Sequence, residues 1–403
     1  MHKADIIAME HKYVLQTYRR PDFVLVRGEG ARVFDSEGHA YVDGVAGIAV
    51  NALGHADPQL VATLQEAAQG LIHVSNLYHT QPHAELARSL AEHSFADRVF
   101  FCNSGTEAVE GALKFARKYA RHVSPQGRND KTAIVAFTGS FHGRTMGALS
   151  TTAPEKYRAP FEPLIPGVRF APFNDPEAAE AAITDDVCAV IVEPVQGEGG
   201  IHPAQAVFLM RLRAACDRSG ALLIFDEVQC GMGRTGYLWA HQFYGVTPDM
   251  MALAKPLANG LPIGAVLVTQ PVAEALGPGD HGSTFAAGPL ICRVAGVVLE
   301  RVSQPDFLAG VREKGEHLAD RLSALVQTSP LLREARGRGL MWGVECQAEA
   351  TAIIAAGYRH GVLVCAAGPN VVRLLPPLTI THAELDELVD GLAAALEEVE
   401  LGD

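Results

Sequence analysis

Paired cysteine motifs are missing from this sequence. Its seven cysteines are odd in number and form no C-x-x-C, so a secreted disulfide framework is not expected and a reducing compartment fits better. No H-E-x-x-H and no paired Cys/His spacing occurs among the 16 histidines, so no metal site is expected. Positive charge is scarce: 33 Lys and Arg against 46 Asp and Glu leave a net charge of −13, which argues against nucleic acid or an anionic membrane as partner. Long apolar runs are scarce too. The longest uncharged stretch, 256–273, is broken by Pro256, Asn259, Gly260, Pro262, Gly264 and Pro271, so it does not read as a membrane span. The first residues carry Asp5 and Glu10 and no apolar segment, unlike a secretory signal. A cytoplasmic protein is expected.

What is present is ordinary globular composition, 48% apolar and 20% charged over 403 residues, with length for two or three domains. Short apolar runs at 98–101, 133–137, 187–193, 221–226, 250–254 and 265–268 read as buried strands. Helical stretches at 107–120 and 207–219 lie between some of them, the second ending at Gly220. Apolar strands alternating with helices imply an α/β fold with a mostly parallel sheet covered on both faces. The flanks differ. Residues 22–43 read as a β-meander, and from about 290 long helices (290–303, 307–325) precede strand-like pieces at 340–345, 362–365 and 371–375 and a helix from about His382. The expected organisation is an N-terminal segment 1–50 and a C-terminal α+β unit 290–403, together forming a small domain beside a large α/β domain, 51–289.

Six motifs carry chemistry. After the first of those strands, Asn103-Ser104-Gly105-Thr106-Glu107 has capping-box spacing, placing Gly105 and Thr106 in a first helical turn whose free N–H groups suit a phosphate. Gly139-Ser140-Phe141-His142-Gly143-Arg144 follows the second, with a ring that can stack on a planar ligand and a guanidinium fork for a carboxylate. Glu193 and Glu198 lie in EPVQGEGG, suited to acid/base work or to pairing with arginine. Asp226 ends the strand at 221–226 and needs a cation or donors to stay ionised. Lys255 ends the strand at 250–254, where desolvation favours the neutral, nucleophilic amine. His281-Gly282-Ser283-Thr284-Phe285 offers small hydroxyls beside glycine. Each is common alone. Gly231-Met232-Gly233-Arg234-Thr235-Gly236 matches G-x-G-x-x-G, but five residues separate it from Phe225 and aromatics follow it, a poor context for a dinucleotide. A nicotinamide-dependent dehydrogenase is the rival it suggests. Taken together, a phosphate site, a ring stacker, a strand-end aspartate and a strand-end lysine describe one ligand, pyridoxal phosphate.

In these motifs, together with GIAVNALGH (47–55), HVSNLYHTQP (73–82) and VVRLLPPL (371–378), the chain resembles the class III, fold type I pyridoxal-phosphate aminotransferases, and within them the acetylornithine branch. The resemblance implies that Lys255 binds the cofactor aldehyde and Asp226 its ring nitrogen. Phe141 and Val228 would flank the ring and Gln229 would bond its hydroxyl. Gly105 and Thr106 would hold the phosphate, with Thr284 supplied by the partner of a homodimer with shared active sites. Arg144, with Ser283 beside it, would bind the donor carboxylate. Arg373 would bind a carboxylate of glutamate, and Glu198 would pair with Arg373 when the substrate has none there. The implied substrates are N-acetylornithine and 2-oxoglutarate, with other ω-amines (succinylornithine, N-succinyl-diaminopimelate, ornithine, 4-aminobutyrate, carrier-linked lysine) as alternatives.

Overall fold

A computed structural model describes residues 1–124, 131–347 and 349–402. The N-terminal meander is β1 (Leu25–Glu29), β2 (Arg32–Asp35) and β3 (Ala40–Asp43). The central strands are β4 (Arg98–Cys102), β5 (Ala133–Phe137), β6 (Val168–Ala171) and β7 (Val187–Val192). A two-residue ribbon, β8 (Val195–Gln196) and β9 (His202–Pro203), precedes β10 (Leu222–Asp226), β11 (Met250–Leu253) and β12 (Gly264–Val268). Beyond them lie β13 (Leu332–Arg338), β14 (Met341–Cys346), β15 (Val362–Leu363), β16 (Cys365–Ala366) and β17 (Val371–Leu374).

The central sheet has the order β4-β12-β11-β10-β7-β5-β6. Every pairing in it is parallel except those of β12, which runs antiparallel to both β11 and β4. β4, β5, β7, β10 and β11 therefore end at one edge. β5, β7, β10, β11 and β12 are buried along their whole length, as continuous apolar strands require when both faces are covered. Helix Gly105–Val123 supplies one cover: Ala108, Val109, Ala112, Leu113 and Ala116 are buried together, one stripe at helical spacing. Helix Ala206–Ser219 buries Phe208, Leu209, Leu212 and Cys216, and Gly220 ends it in the left-handed conformation at φ 70°. Truncating Phe208 to alanine would cost about 3–5 kcal/mol through the cavity left behind.

β15 pairs in parallel with β3, so the two chain ends share one sheet, β1-β2-β3-β15. β13, β14, β17 and β16 form another. Helix Pro289–Val302 packs on the helices Pro58–Ala67 and Gln81–Glu92, where Cys292, Val298 and Leu299 meet Leu60, Leu86 and Leu90. No helix among the described residues is long and apolar enough to cross a membrane.

Candidate active site

The C-terminal edge of the parallel strands opens into a cavity of about 420 Å³. Gly105, Thr106, Phe141, Arg144, Glu198, Asp226, Val228, Gln229 and Lys255 all line it. Each arrives on the turn that leaves a strand, where an open α/β sheet gathers its ligand-binding groups.

Lys255 follows β11 and opens a short 3₁₀ turn at φ +28°, a backbone conformation that non-glycine residues adopt only when the surroundings impose it. Burial pushes its amine below the usual lysine range, and Arg373 pushes the same way against Glu198 and Asp226. That direction favours the neutral amine, the form that is a nucleophile and a proton acceptor.

Asp226 ends β10 and is 5% exposed. Its Oδ1 accepts the Val228 N–H at 3.0 Å, and its Oδ2 lies 2.7 Å from His142 Nδ1. Glu193 sits behind this pair, accepting the N–H groups of Phe141 at 3.1 Å and Gly197 at 3.2 Å. Burial raises its carboxyl to about 7, with the Asp226 charge adding to the rise and His142 opposing it.

The helix at Gly105 starts from Ser104, whose Oγ accepts the Glu107 N–H. The Glu107 carboxylate reaches past the cap to Asn103, accepting its N–H at 2.7 Å and its Nδ2 at 3.0 Å. Gly105 and Thr106 stand in the first turn, where the helix supplies no acceptor for their N–H groups and its dipole favours an anion. A Cβ on Gly105 would lie 2.7 Å from Val228 Cγ1, so glycine here is what lets the helix start close to the loop after β10. Thr106 Oγ1 accepts the N–H groups of Arg144 and Thr145, tying this turn to the Phe141 loop.

Arg144 lines the cavity, and Arg373 stands outside the lining, bonded to the lining residues Glu198 and Gln229. Arg144 is exposed, stacked 3.8 Å over the Tyr157 ring, with no carboxylate partner among the described residues. Arg373 is 1% exposed. Its Nη1 donates to Glu198 Oε1 at 2.5 Å and to Gln229 Oε1 at 3.2 Å, and its Nε to Cys365 Sγ at 3.4 Å. Burial alone would raise the Glu198 carboxyl; the Arg373 charge outweighs it and holds the group below the usual carboxylate range.

Ser283 lies outside the cavity lining, its Oγ accepting from Asn103 Nδ2 at 2.8 Å. Thr284 is exposed and does not reach the cavity of its own chain. Sequence reasoning gave no role to Asn103, His142 or Cys365. His142 stood in a glycine-flanked motif, but its partner Asp226 is 84 positions away, and no local pattern announces that pair. The G-x-G-x-x-G stretch forms turns after β10, with the next helix only at His241–Tyr244; it opens no helix onto which a pyrophosphate would dock.

The residues present fit pyridoxal phosphate: a first-turn anion site, a carboxylate oriented by two donors, apolar Val228 and Phe141 beside it, and a desolvated amine. The class III aminotransferase family description matches residues 13–396. The chain belongs to the class III aminotransferases. It is 50% identical over 394 residues to the mitochondrial acetylornithine aminotransferase of Alnus glutinosa, covering 97% of this chain and 87% of that protein. It is 46% identical to the succinylornithine transaminase of Yersinia pseudotuberculosis, covering 96% of this chain and 95% of the other. The solved N-acetylornithine aminotransferase of Stenotrophomonas maltophilia superposes with a TM-score of 0.85 at 40% identity, over 98% of this chain and all of that one. The enzyme is thus a transaminase dependent on pyridoxal phosphate.

Proposed function

We propose that this aminotransferase moves the ω-amino group of N-acetyl-L-ornithine to 2-oxoglutarate in two half-reactions, giving N-acetylglutamate semialdehyde and then glutamate, within arginine biosynthesis. The observation that carries the reading is the Arg373–Glu198 pair at 2.5 Å beside the free fork of Arg144. Glutamate brings two carboxylates. N-acetylornithine brings one, at the end away from its reacting amine. A pocket serving both needs one permanent anion site and one that can be masked. In this reading Arg144 is permanent, with Ser283 near it, and Glu198 masks Arg373.

Bound pyridoxal phosphate supplies an aldehyde that takes up the amine and a ring that accepts electrons. The chain supplies the rest. Lys255 Nζ takes the proton from the substrate carbon that bears the amine and returns it on the cofactor side. Asp226, fixed by His142 and the Val228 N–H, holds a negative charge at the ring nitrogen, so that nitrogen stays protonated. Gly105 and Thr106 would hold the phosphate, Phe141 and Val228 would flank the ring, and Gln229 would bond its hydroxyl.

A homodimer in which Thr284 completes the neighbouring subunit's phosphate site belongs to the same proposal. Thr284 and Phe285 are exposed beside the segment carrying exposed Leu71, Ile72, Leu77 and Tyr78, and Asn76 Nδ2 links the two segments through the Ser283 carbonyl at 3.3 Å. This apolar surface supports a second copy as its cover. The division into 1–50, 51–289 and 290–403 and a cytoplasmic location are part of the proposal, with helix Pro289–Val302 as the joint between the domains.

The test is a single half-reaction. N-acetylornithine is added without keto acid and the cofactor's visible absorbance is followed. Bleaching much faster than with ornithine or 4-aminobutyrate supports the assignment. N-succinylornithine is the second reading, favoured by the Yersinia relative, and faster bleaching with it would replace the first.

A further inference from the structure

The G-x-G-x-x-G stretch holds no dinucleotide, yet it contains one of the largest fully buried side chains. Arg234 is 1% exposed and forms no ion pair with a carboxylate among the described residues. Its Nη1 donates to the carbonyl oxygens of Leu340 at 2.9 Å and Pro376 at 2.5 Å, while its Nη2 finds no partner among the described residues. Burial lowers its pKa to about 9, so it still carries its charge at neutral pH. The Asp43 charge acts on it without a direct contact, and stability alone does not account for a buried guanidinium with no paired carboxylate, because an apolar side chain of that volume costs less to bury. What an apolar side chain cannot do is hold two carbonyl groups at once.

The place of those carbonyls matters. β17 carries Arg373 and runs into Leu375-Pro376-Pro377. The Leu375 N–H donates to Gly44 at 2.6 Å and the Leu378 N–H to Ala52 at 2.7 Å, but the two prolines between them have no N–H to donate. Between those two anchors the contact comes through a carbonyl, and Arg234 holds that of Pro376. The same loop grips Leu340 twice, since the Arg234 carbonyl also accepts the Leu340 N–H at 3.0 Å. The approach is close: a Cβ on Gly339 would lie 2.5 Å from the Thr235 carbonyl carbon. Upstream on the same loop, Gln229 accepts from Arg373 Nη1 at 3.2 Å. The loop after β10 thus touches the Arg373 strand at two points, the guanidinium and the backbone three residues on.

We propose that Arg234 is a positioning residue that sets Arg373 for the carboxylate of glutamate by clamping the chain beyond β17. The proposal rests on the reading that Arg373 binds that carboxylate.

The test compares Arg234→Met, Arg234→Lys and Arg373→Gln holoenzymes in separate half-reactions with glutamate and N-acetylornithine. Binding of glutarate, an unreactive dicarboxylate, is measured by calorimetry. Weakening a charged hydrogen bond to the ligand costs about tenfold or more in binding, so Arg234→Met is expected to weaken glutarate and glutamate by that factor. The limiting rate and the N-acetylornithine half-reaction should stay unchanged, and Arg234→Lys should recover part of the affinity. Equal losses in both half-reactions, or unchanged glutarate binding, would overturn the proposal. If the methionine variant does not fold, the lysine variant decides, since it too must weaken glutarate selectively. If Arg373→Gln shows no selective loss with glutamate, the carboxylate assignment fails and the inference falls with it. If Arg373→Gln is selective and the Arg234 variants are not, the inference alone fails.

Discussion

Replacing Glu198 with glutamine should separate the two half-reactions. The Arg373–Glu198 contact is 2.5 Å long, with side chains 2% and 25% exposed, so little solvent screens it. Glutamine keeps the shape and an acceptor oxygen and removes only the charge. In the N-acetylornithine half-reaction nothing then neutralises Arg373. A hydrogen bond to a charged group contributes about 1.5–3 kcal/mol. Taking about 2 kcal/mol for the lost charge gives roughly a 30-fold fall in kcat/KM for N-acetylornithine, at about 1.4 kcal/mol per decade. Glutamate brings its own carboxylate and no longer has to displace Glu198, so its apparent affinity should hold or improve. Rapid-mixing measurements of each half-reaction give both numbers on one preparation. Equal changes in both, or an unaffected N-acetylornithine reaction, would refute the masking argument.

Lys255→Ala should abolish turnover and the adduct trapped by borohydride; substantial remaining activity would remove the lysine from its role. Gly105→Ala puts a methyl group 2.7 Å from Val228 Cγ1, and relieving such overpacking costs about 1–3 kcal/mol. Cofactor affinity, titrated into cofactor-free protein, should therefore fall by about fivefold or more; unchanged affinity would show that the turn yields freely. Glu193 gives a pH signature. Its carboxyl is raised from 4.5 to about 7 in the folded chain, so the folded state keeps a proton that the unfolded state has lost. The stability held at low pH therefore declines as pH rises from about 4.5 to about 7. Thermal midpoints of cofactor-free Glu193→Gln should vary less over that window than those of the parent, and parallel profiles would contradict the assignment.

What the sequence makes legible follows from where the chemistry sits. Asn103, Phe141, Glu193, Asp226 and Lys255 each stand just past a run of apolar residues, and a parallel sheet brings such positions to one edge without any knowledge of strand order. The order itself was not legible. The apolar run of β12 has no direction written in it, and its antiparallel course between β11 and β4 is set by the tight path from the Lys255 turn through Gly260 and Pro262. β13 escaped notice because Leu332–Arg338 reads LREARGR, and charge on one face of a small sheet hides the period of two. Contacts between distant residues were the other blind spot. His142 against Asp226 and Arg234 against Pro376 join segments far apart in sequence, and each involves a polar side chain whose local setting looks ordinary.

Thr284 poses the opposite case. Its motif pointed to phosphate, yet the side chain is exposed and lies outside its own chain's cavity. A hydroxyl at that position is of use to a phosphate only if another surface brings the two together. The exposed apolar side chains around it, Phe285 at 68%, Leu77 at 81% and Tyr78 at 72%, are costly to leave in water at about 25 cal/mol per Å² of apolar area. Covering them with a second copy of the chain would relieve that cost and deliver Thr284 to a neighbouring cavity in one step. On this argument the site and the assembly stand together: dilution below the dissociation constant of the dimer should release the cofactor. A monomer that retains it at full affinity would break the link.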